Sequence, residues 1–119
     1  MLTARKDTDY LNGVPELLLL RLLARQPMHG YELVQGIRLC TGGVLAFGEG
    51  CVYPILHRLE AEGLLTGTRE AVGGRSRVVY RLTPAGGERL AAASARWAAV
   101  GAAVAGALRG VGDAAPELG

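Results

Sequence analysis

The stretch EGCVYPILHRLEAEGLL, at Glu49–Leu65, limits what this chain can fold into more than any other segment. Its apolar side chains recur at helical spacing and fall on one side, at Val52, Ile55, Leu56 and Leu59. A stripe of that width anchors a helix to a hydrophobic core. Gly63 follows as a helix-ending glycine, and Leu64-Leu65 begins an extended segment. We therefore predict a helix that is buried along one face and followed at once by a strand.

The remaining side of this predicted helix offers a different set of side chains, namely Tyr53, Pro54, His57 and Arg58. Tyr53 and His57 are four residues apart, so they are neighbours on a helix surface. An aromatic hydroxyl, an imidazole and a guanidinium are thus available to a partner outside the core. Because Pro54 lacks an N–H donor, the helix either starts near Val52 or begins at Glu49 and is kinked. The sequence leaves both alternatives open.

Composition sets broad limits on function. Half of the 119 residues are hydrophobic, which suits one packed domain and argues against wholesale disorder. A formal net charge of +2 is too small to indicate a nucleic-acid partner unless the charge is localised. Cys40 and Cys51 have neither CxxC nor metal-ligand spacing, and no secretory signal precedes them. We therefore expect a cytoplasmic protein with reduced thiols and without a metal or other cofactor.

Two further helices are predicted before the central stretch. The first, at about Pro15–Arg25, is rich in leucine, and Gln26-Pro27 interrupts it. The second runs from about His29 to Cys40, with His29 expected to start it in a structural role, and Gly42-Gly43 ends it. Its candidate inward positions are Tyr31, Leu33 or Val34, Ile37 and Cys40.

Two strand-like runs follow the central stretch, at Leu65–Ala71 and Arg77–Leu82, with the glycine-bearing turn Val72–Ser76 between them. Positive charge collects in this predicted hairpin, where four arginines stand against Glu70 alone: Arg69, Arg75, Arg77 and Arg81. Three short helices and a basic hairpin predict a winged helix-turn-helix. The fold class is therefore mainly α with a small β-hairpin.

Thr83-Pro84 predicts the start of a long C-terminal helix reaching about Arg109, because threonine caps helices and proline suits their first turn. Apolar residues recur in it every seven positions, at Leu90, Trp97, Val104 and Val111, with Ala93, Val100 and Ala107 three further on. Such a repeat is a helix-pairing seam, which predicts a homodimer. The stretch Ala91–Val111 is long enough for a membrane helix, but its alanine and glycine content and its two arginines, Arg96 and Arg109, argue against one.

These elements divide the chain into four parts. Residues 1–14 are expected to form a flexible arm and residues 15–83 the winged helix-turn-helix domain. Residues 84–109 form the predicted dimerisation helix, and residues 110–119 a flexible tail.

Three motifs follow one another along the chain: PMHGYEL at Pro27–Leu33, the central stretch, and GGRSRVVYRLTPAG at Gly73–Gly86. In the order and spacing of these motifs the chain resembles the PadR family of bacterial transcriptional regulators, over about Pro15–Leu90. The resemblance implies a winged helix-turn-helix that binds double-stranded operator DNA as a homodimer. It also implies repression that a small molecule or a stress signal relieves.

Two features depart from that family pattern. Val78-Val79 stands where polar or aromatic residues are often found, which predicts fewer contacts from the wing. The C-terminal region is one helix long, as in the short subgroup, which leaves less protein for a separate ligand-binding domain.

The predicted DNA-contacting residues lie in the helix and in the hairpin. Tyr53, His57 and Arg58 are expected to reach base edges and phosphates from a recognition helix. The alternative is structural, with Tyr53 packed against the second helix and Arg58 paired with Glu62. Arg75 and Arg77, at the hairpin tip, are expected to touch phosphates or enter a minor groove.

The seam carries a second candidate site, made of Leu90, Trp97, Val100 and Val104. These residues pack the predicted dimer, and Trp97 with its symmetry mate is a candidate platform for a planar aromatic effector. No catalytic constellation emerges, so the chain is not expected to be an enzyme. The alternative to a DNA-binding regulator is a winged-helix protein-interaction module that dimerises through its last helix without reading DNA.

Overall fold

A computed structural model describes residues 13–110. The predicted arm and tail lie outside this range apart from their innermost residues, as does Val111 of the predicted seam. The described chain forms four helices and three strands in the order α1 (Val14–Arg25), β1 (Met28–His29), α2 (Gly30–Cys40), α3 (Glu49–Ala61), β2 (Leu65–Val72), β3 (Arg75–Leu82) and α4 (Pro84–Leu108). This is the predicted winged helix-turn-helix followed by a long helix.

The hydrophobic core lies where the first three helices meet the small sheet. Its most deeply buried side chains come from all of these elements: Leu19, Leu20, Leu33, Ile37, Val52, Leu56, Leu59 and Leu65. The predicted buried stripe of α3 is therefore confirmed at Val52, Leu56 and Leu59. Burying a leucine side chain stabilises a fold by about 1.5–3 kcal/mol, so this stripe holds α3 firmly.

The inward face of α2 is narrower than the sequence analysis predicts. Leu33 and Ile37 are fully buried, but Tyr31 is half exposed and Cys40 is exposed. Tyr31 was placed wrongly because it lies on the opposite side of the helix from Leu33. Cys40 lies on the same side of the helix as Leu33 and Ile37, but it is the last residue of the helix and lies beyond the edge of the core.

Helix α3 begins at Glu49, and Pro54 lies inside it, which settles where the helix starts. Pro54 cannot donate to the Gly50 carbonyl, but both residues are exposed, so water can take the place of the missing donor. The helix ends as predicted at Gly63, which has φ +79°. The N–H of Gly63 donates to the Glu60 carbonyl, and the N–H of Leu64 donates to the Leu59 carbonyl. These are the two hydrogen bonds of a Schellman motif.

The sheet has three antiparallel strands in the order β1-β3-β2. Strand β1, which the sequence analysis did not predict, pairs Met28 with Tyr80 and His29 with Val79. The hairpin turn is also tighter than predicted, because the strands are joined by Gly73 and Gly74 alone, with φ +58° and +81°. Positive φ at both residues is what a two-residue type I′ turn requires, and glycine adopts it without strain.

Helix α4 starts as predicted, with the Thr83 hydroxyl accepting a hydrogen bond from the Gly86 N–H. Thr83 also donates from its hydroxyl to the Gly63 carbonyl at 2.7 Å, which fixes the start of α4 to the end of α3. The first turns of α4 pack against α1, whereas its later turns extend away from the domain. By length and composition alone α4 is also able to cross a membrane.

Candidate nucleic-acid interface

Tyr53 and His57 are neighbours on one side of α3, outside its buried stripe of Val52, Leu56 and Leu59. Their ring centroids are 6.4 Å apart, with planes tilted by 46°. His57 is exposed, while Tyr53 is half-buried. The ring of Tyr53 lies so close to Gly30 that a Cβ there would be 2.4 Å from its hydroxyl oxygen. Tyr53 therefore packs α3 against the start of α2, which is the structural role that the sequence left open for it.

A cleft of about 280 Å³ separates this face of α3 from the wing formed by β2 and β3. Its lining combines aromatic, imidazole and guanidinium groups: His29, Gly30, Tyr53, His57, Arg69, Ser76, Arg77, Val78 and Tyr80. Three of the predicted DNA-contacting residues, Tyr53, His57 and Arg77, thus lie around one open concavity. Its cationic side chains suit a phosphate-bearing partner.

His29 fixes the position of α2 at the edge of the cleft. Its ring Nδ1 accepts a hydrogen bond from the Glu32 N–H at 3.3 Å, and the Glu32 carboxylate accepts one from the His29 N–H at 3.0 Å. This capping box confirms the structural role predicted for His29. Tyr80 closes the floor of the cleft, where its burial and then the charge of Glu60 raise the pKa of its hydroxyl.

The wing carries its arginines on both faces. Arg81 forms an ion pair with Glu70 across the hairpin, and the Thr68 hydroxyl is hydrogen-bonded to both. The charge of Arg81 is therefore neutralised locally. The ion pairs found among residues 13–110 do not include Arg69, Arg75 or Arg77. These three arginines leave the wing cationic.

Arg69 and Ser76 also belong to this site, although they are not among the residues predicted from the sequence. Arg69 is paired in register with Val78, and its guanidinium donates to the Ser76 hydroxyl at 3.3 Å. Strand alternation puts Arg69 on the same face as Val78, towards the cleft. That alternation was the available signal. Val78 and Val79 pack at the base of the wing, where Val79 is buried, and the expectation that they reduce the contacts of the wing stays a prediction.

Arg58 lies apart from the cleft. Its guanidinium bonds to Glu16 of α1 at 2.9 Å and to Glu62 at 3.3 Å. The hydrogen bond that Arg58 donates to Glu16, and then the one that it donates to Glu62, raise the pKa of Arg58 despite its partial burial. Both charges that hold Arg58 belong to its own chain, so the geometry favours the structural role over DNA contact for this residue.

The seam of α4 begins inside the domain and ends outside it. Leu90 packs against the core, whereas three further seam residues are about half exposed: Trp97 at 54 %, Val100 at 50 % and Val104 at 52 %. These large apolar side chains therefore form an exposed apolar stripe along one helix.

Comparison with known proteins identifies the relatives of the chain. Residues 19–92 match the family described as the transcriptional regulator PadR-like family. The chain is 41 % identical over 78 residues to the transcriptional regulator Rv3488 of Mycobacterium tuberculosis, covering 66 % of this chain and 70 % of that protein. It is also 34 % identical over 74 residues to the transcriptional regulator YqjI of Escherichia coli, spanning about a third of that longer protein (35 %).

Solved structures give the same result. A PadR-like transcriptional regulator from Bacillus cereus superposes with a TM-score of 0.75 at 31 % identity, covering 86 % of this chain and 98 % of that one. A PadR family regulator from Eggerthella lenta gives a TM-score of 0.71 at 29 % identity, covering 90 % and 92 %. These proteins are regulators of transcription rather than enzymes. The chain belongs to the PadR-like family of transcriptional regulators.

Proposed function

We propose that the protein is a homodimeric repressor that binds a palindromic operator. Helix α3 enters the major groove, and the wing grips the flanking backbone. The observation that carries this proposal is that Tyr53 and His57 share one open cleft with two arginines of the wing, Arg69 and Arg77. Membership of a family of transcription regulators fits this function and a cytoplasmic location.

The recognition surface is the exposed side of α3. His57 is exposed and free to approach base edges, and Tyr53 lines the cleft beside it. A helix in the major groove reads sequence through a few such side chains. Arg58 is left out of this surface because Glu16 and Glu62 hold its guanidinium.

Replacing His57 with Ala, or Tyr53 with Phe, is expected to change sequence preference. Each is expected to weaken operator binding by about tenfold, in line with roughly 1–3 kcal/mol for a base contact, with little effect on random DNA. Tyr53→Phe retains the ring that packs against Gly30, so stability is preserved. Competition between operator and random duplexes measures the effect, and an unchanged ratio in both variants contradicts the assignment.

Arg75 and Arg77 of the wing are proposed to bind the DNA backbone. Arg75 is exposed beside the turn, and Arg77 lines the cleft. Neither is engaged by a carboxylate within the described residues, so both are available to phosphate oxygens.

The double variant Arg75→Ala, Arg77→Ala is expected to weaken binding to all DNA sequences alike. The slope of log affinity against log salt concentration is expected to fall in magnitude by about 1.8, since each phosphate contact contributes about 0.9. Titrations at several salt concentrations measure this slope. The matched control is Arg96→Ala, Arg109→Ala, which removes the same charge from exposed positions on or next to α4. An equal loss of slope in the control contradicts a specific role of the wing.

Dimerisation is proposed to occur through α4. The half-exposed seam of Trp97, Val100 and Val104 is covered when a second copy packs against it. Pairing of two copies would account for the apolar character of α4. A membrane position is disfavoured because the charged side chains of Arg89 and Arg96 lie within the helix.

The effector is proposed to be a planar aromatic molecule held near Trp97 between the two protomers. Alanine and glycine neighbours, among them Ala93 and Gly101, leave room beside an indole ring in a paired seam. Because Trp97 is the single tryptophan, quenching of its fluorescence by planar phenols and dyes is expected to be saturable and to accompany loss of DNA binding. Linear quenching with no change in DNA binding contradicts an effector at this place.

The direct test of the function is a mobility-shift titration on the DNA upstream of the protein's own gene, at low salt and with random competitor. A shift that resists competitor is expected. Without such a shift, a pull-down that captures a protein partner would favour the protein-interaction module instead.

A further inference from the structure

Two arginines and two glutamates form a closed ring of ion pairs. Arg58 bonds to Glu16 at 2.9 Å and to Glu62 at 3.3 Å. Arg89 bonds to the same two carboxylates, at 2.9 Å for Glu16 and 3.5 Å for Glu62. Each charge therefore has two opposite neighbours. We refer to these four residues as the arginine–glutamate ring.

The arginine–glutamate ring connects three helices, α1, α3 and α4. Glu16 lies in the first turn of α1, Arg58 and Glu62 at the end of α3, and Arg89 in the second turn of α4. It thus connects the proposed recognition helix to the proposed dimerisation helix through charged contacts. The connection is made where α4 leaves the domain, next to the hydrogen bond from Thr83 to the Gly63 carbonyl.

The ring is more constrained than a surface ion pair. The side chain of Glu16 is only 16 % exposed, while the other three members are 39–47 % exposed. Burial alone would raise the pKa of Glu16, but its bonds to Arg58 and Arg89 outweigh burial and lower it. The carboxylate is therefore ionised at neutral pH. Each planar guanidinium reaches two carboxylates in fixed directions, so the ring constrains angles between helices as well as distances.

The ring contributes little to the stability of the fold, but it constrains the direction of α4. Exposed ion pairs each contribute only about 0–1 kcal/mol to stability. Beyond Leu90, however, the large apolar side chains of α4 are half exposed or more, so the direction of the helix is set within its first turns. At about 1.5 Å per residue, α4 extends about 28 Å from Arg89 to Leu108. A rotation of 10° at the ring would move the far end by about 5 Å, from the same helical rise.

We propose that Glu16 and Arg89 are positioning residues, which fix the angle between α3 and α4 and thereby set the half-site spacing that the dimer accepts. This inference rests on the proposed function, because spacing has meaning only for a dimer on a palindrome. Neither residue lines the cleft between α3 and the wing. A change of one base pair moves a half-site by about 3.4 Å along the duplex and turns it by about 35°, so a rigid connection discriminates against it.

The test uses palindromic duplexes that the wild-type protein enriches from a random pool. They are rebuilt with the half-sites moved together or apart by one and two base pairs. The variants are Arg89→Met and Glu16→Gln, which remove a charge with little change in size. Arg96→Met, an exposed α4 residue outside the ring, is the matched control. Affinity for a duplex with one half-site and the thermal midpoint are measured alongside.

The wild type and the control are expected to favour the optimal spacing over a one-base-pair change by about tenfold. In Arg89→Met and Glu16→Gln this preference is expected to fall to about twofold or threefold, with single half-site affinity unchanged. An unchanged spacing profile overturns the inference, as does an equal loss on single and paired half-sites, which indicates a merely structural role. If the wild type enriches no duplex at all, the proposed function fails rather than the ring.

Discussion

Trp97→Arg is expected to convert the protein into monomers and to weaken binding to a palindromic duplex by about 100-fold or more. The physical reason is that pairing of the seams would bury two guanidinium groups against apolar side chains without partners. A second half-site bound by a linked module adds affinity by raising effective concentration, and that gain of about 10²–10⁴ is lost in a monomer. Sedimentation and a DNA titration measure the two effects.

The matched control is Ala102→Arg, which adds the same side chain to an exposed position away from the seam. It is expected to leave the dimer and its DNA affinity intact. If Trp97→Arg remains dimeric, the interface lies elsewhere, and α4 does not pair through Trp97, Val100 and Val104.

Gly86→Ala is expected to destabilise the fold by about 1–3 kcal/mol, the usual cost of overpacking. A Cβ at Gly86 would lie 2.2 Å from the Leu64 carbonyl oxygen and 2.7 Å from a methyl of Leu82. The nearer atom belongs to the backbone, so α4 must shift away from the end of α3 to make room. For a domain of about this size, the thermal midpoint is expected to fall by about 5–15 °C.

Gly87→Ala is the neighbouring control, because a Cβ there meets nothing within 4 Å. Alanine is the better helix former by about 1 kcal/mol, so this variant is expected to be as stable as the wild type or more so. Equal thermal midpoints for the two variants would contradict the close packing of α4 on Leu64.

The sequence predicts the parts of the fold that depend on local patterns. The buried stripe of α3, the glycine that ends it and the threonine that caps α4 all follow from residue type and spacing. Strand β1 does not, because two residues carry no periodicity and form a strand only by pairing with Tyr80 and Val79. The error at Tyr31 has a similar origin, since an aromatic residue at the start of a helix gives no sign of which side the core occupies.

The candidate site is predictable to a similar degree. The nearness of Tyr53 to His57 and the charge of the hairpin can be read from spacing and composition. Of the two partners of Arg58, Glu62 can be read from spacing, but Glu16 cannot, because it is 42 positions away and meets Arg58 only in the folded domain. The same holds for the packing of Tyr53 on Gly30, which shows why this helix face both supports the fold and borders the cleft.

The central claim is that a dimer of this chain recognises DNA sequence with α3 and binds the DNA backbone with the wing. Selection from a pool of random duplexes by the wild-type protein tests it most directly. The account predicts enrichment of a palindrome whose half-sites are about one helical turn apart, roughly 34–36 Å. Enrichment of a single unrepeated site, or of no sequence, would contradict it.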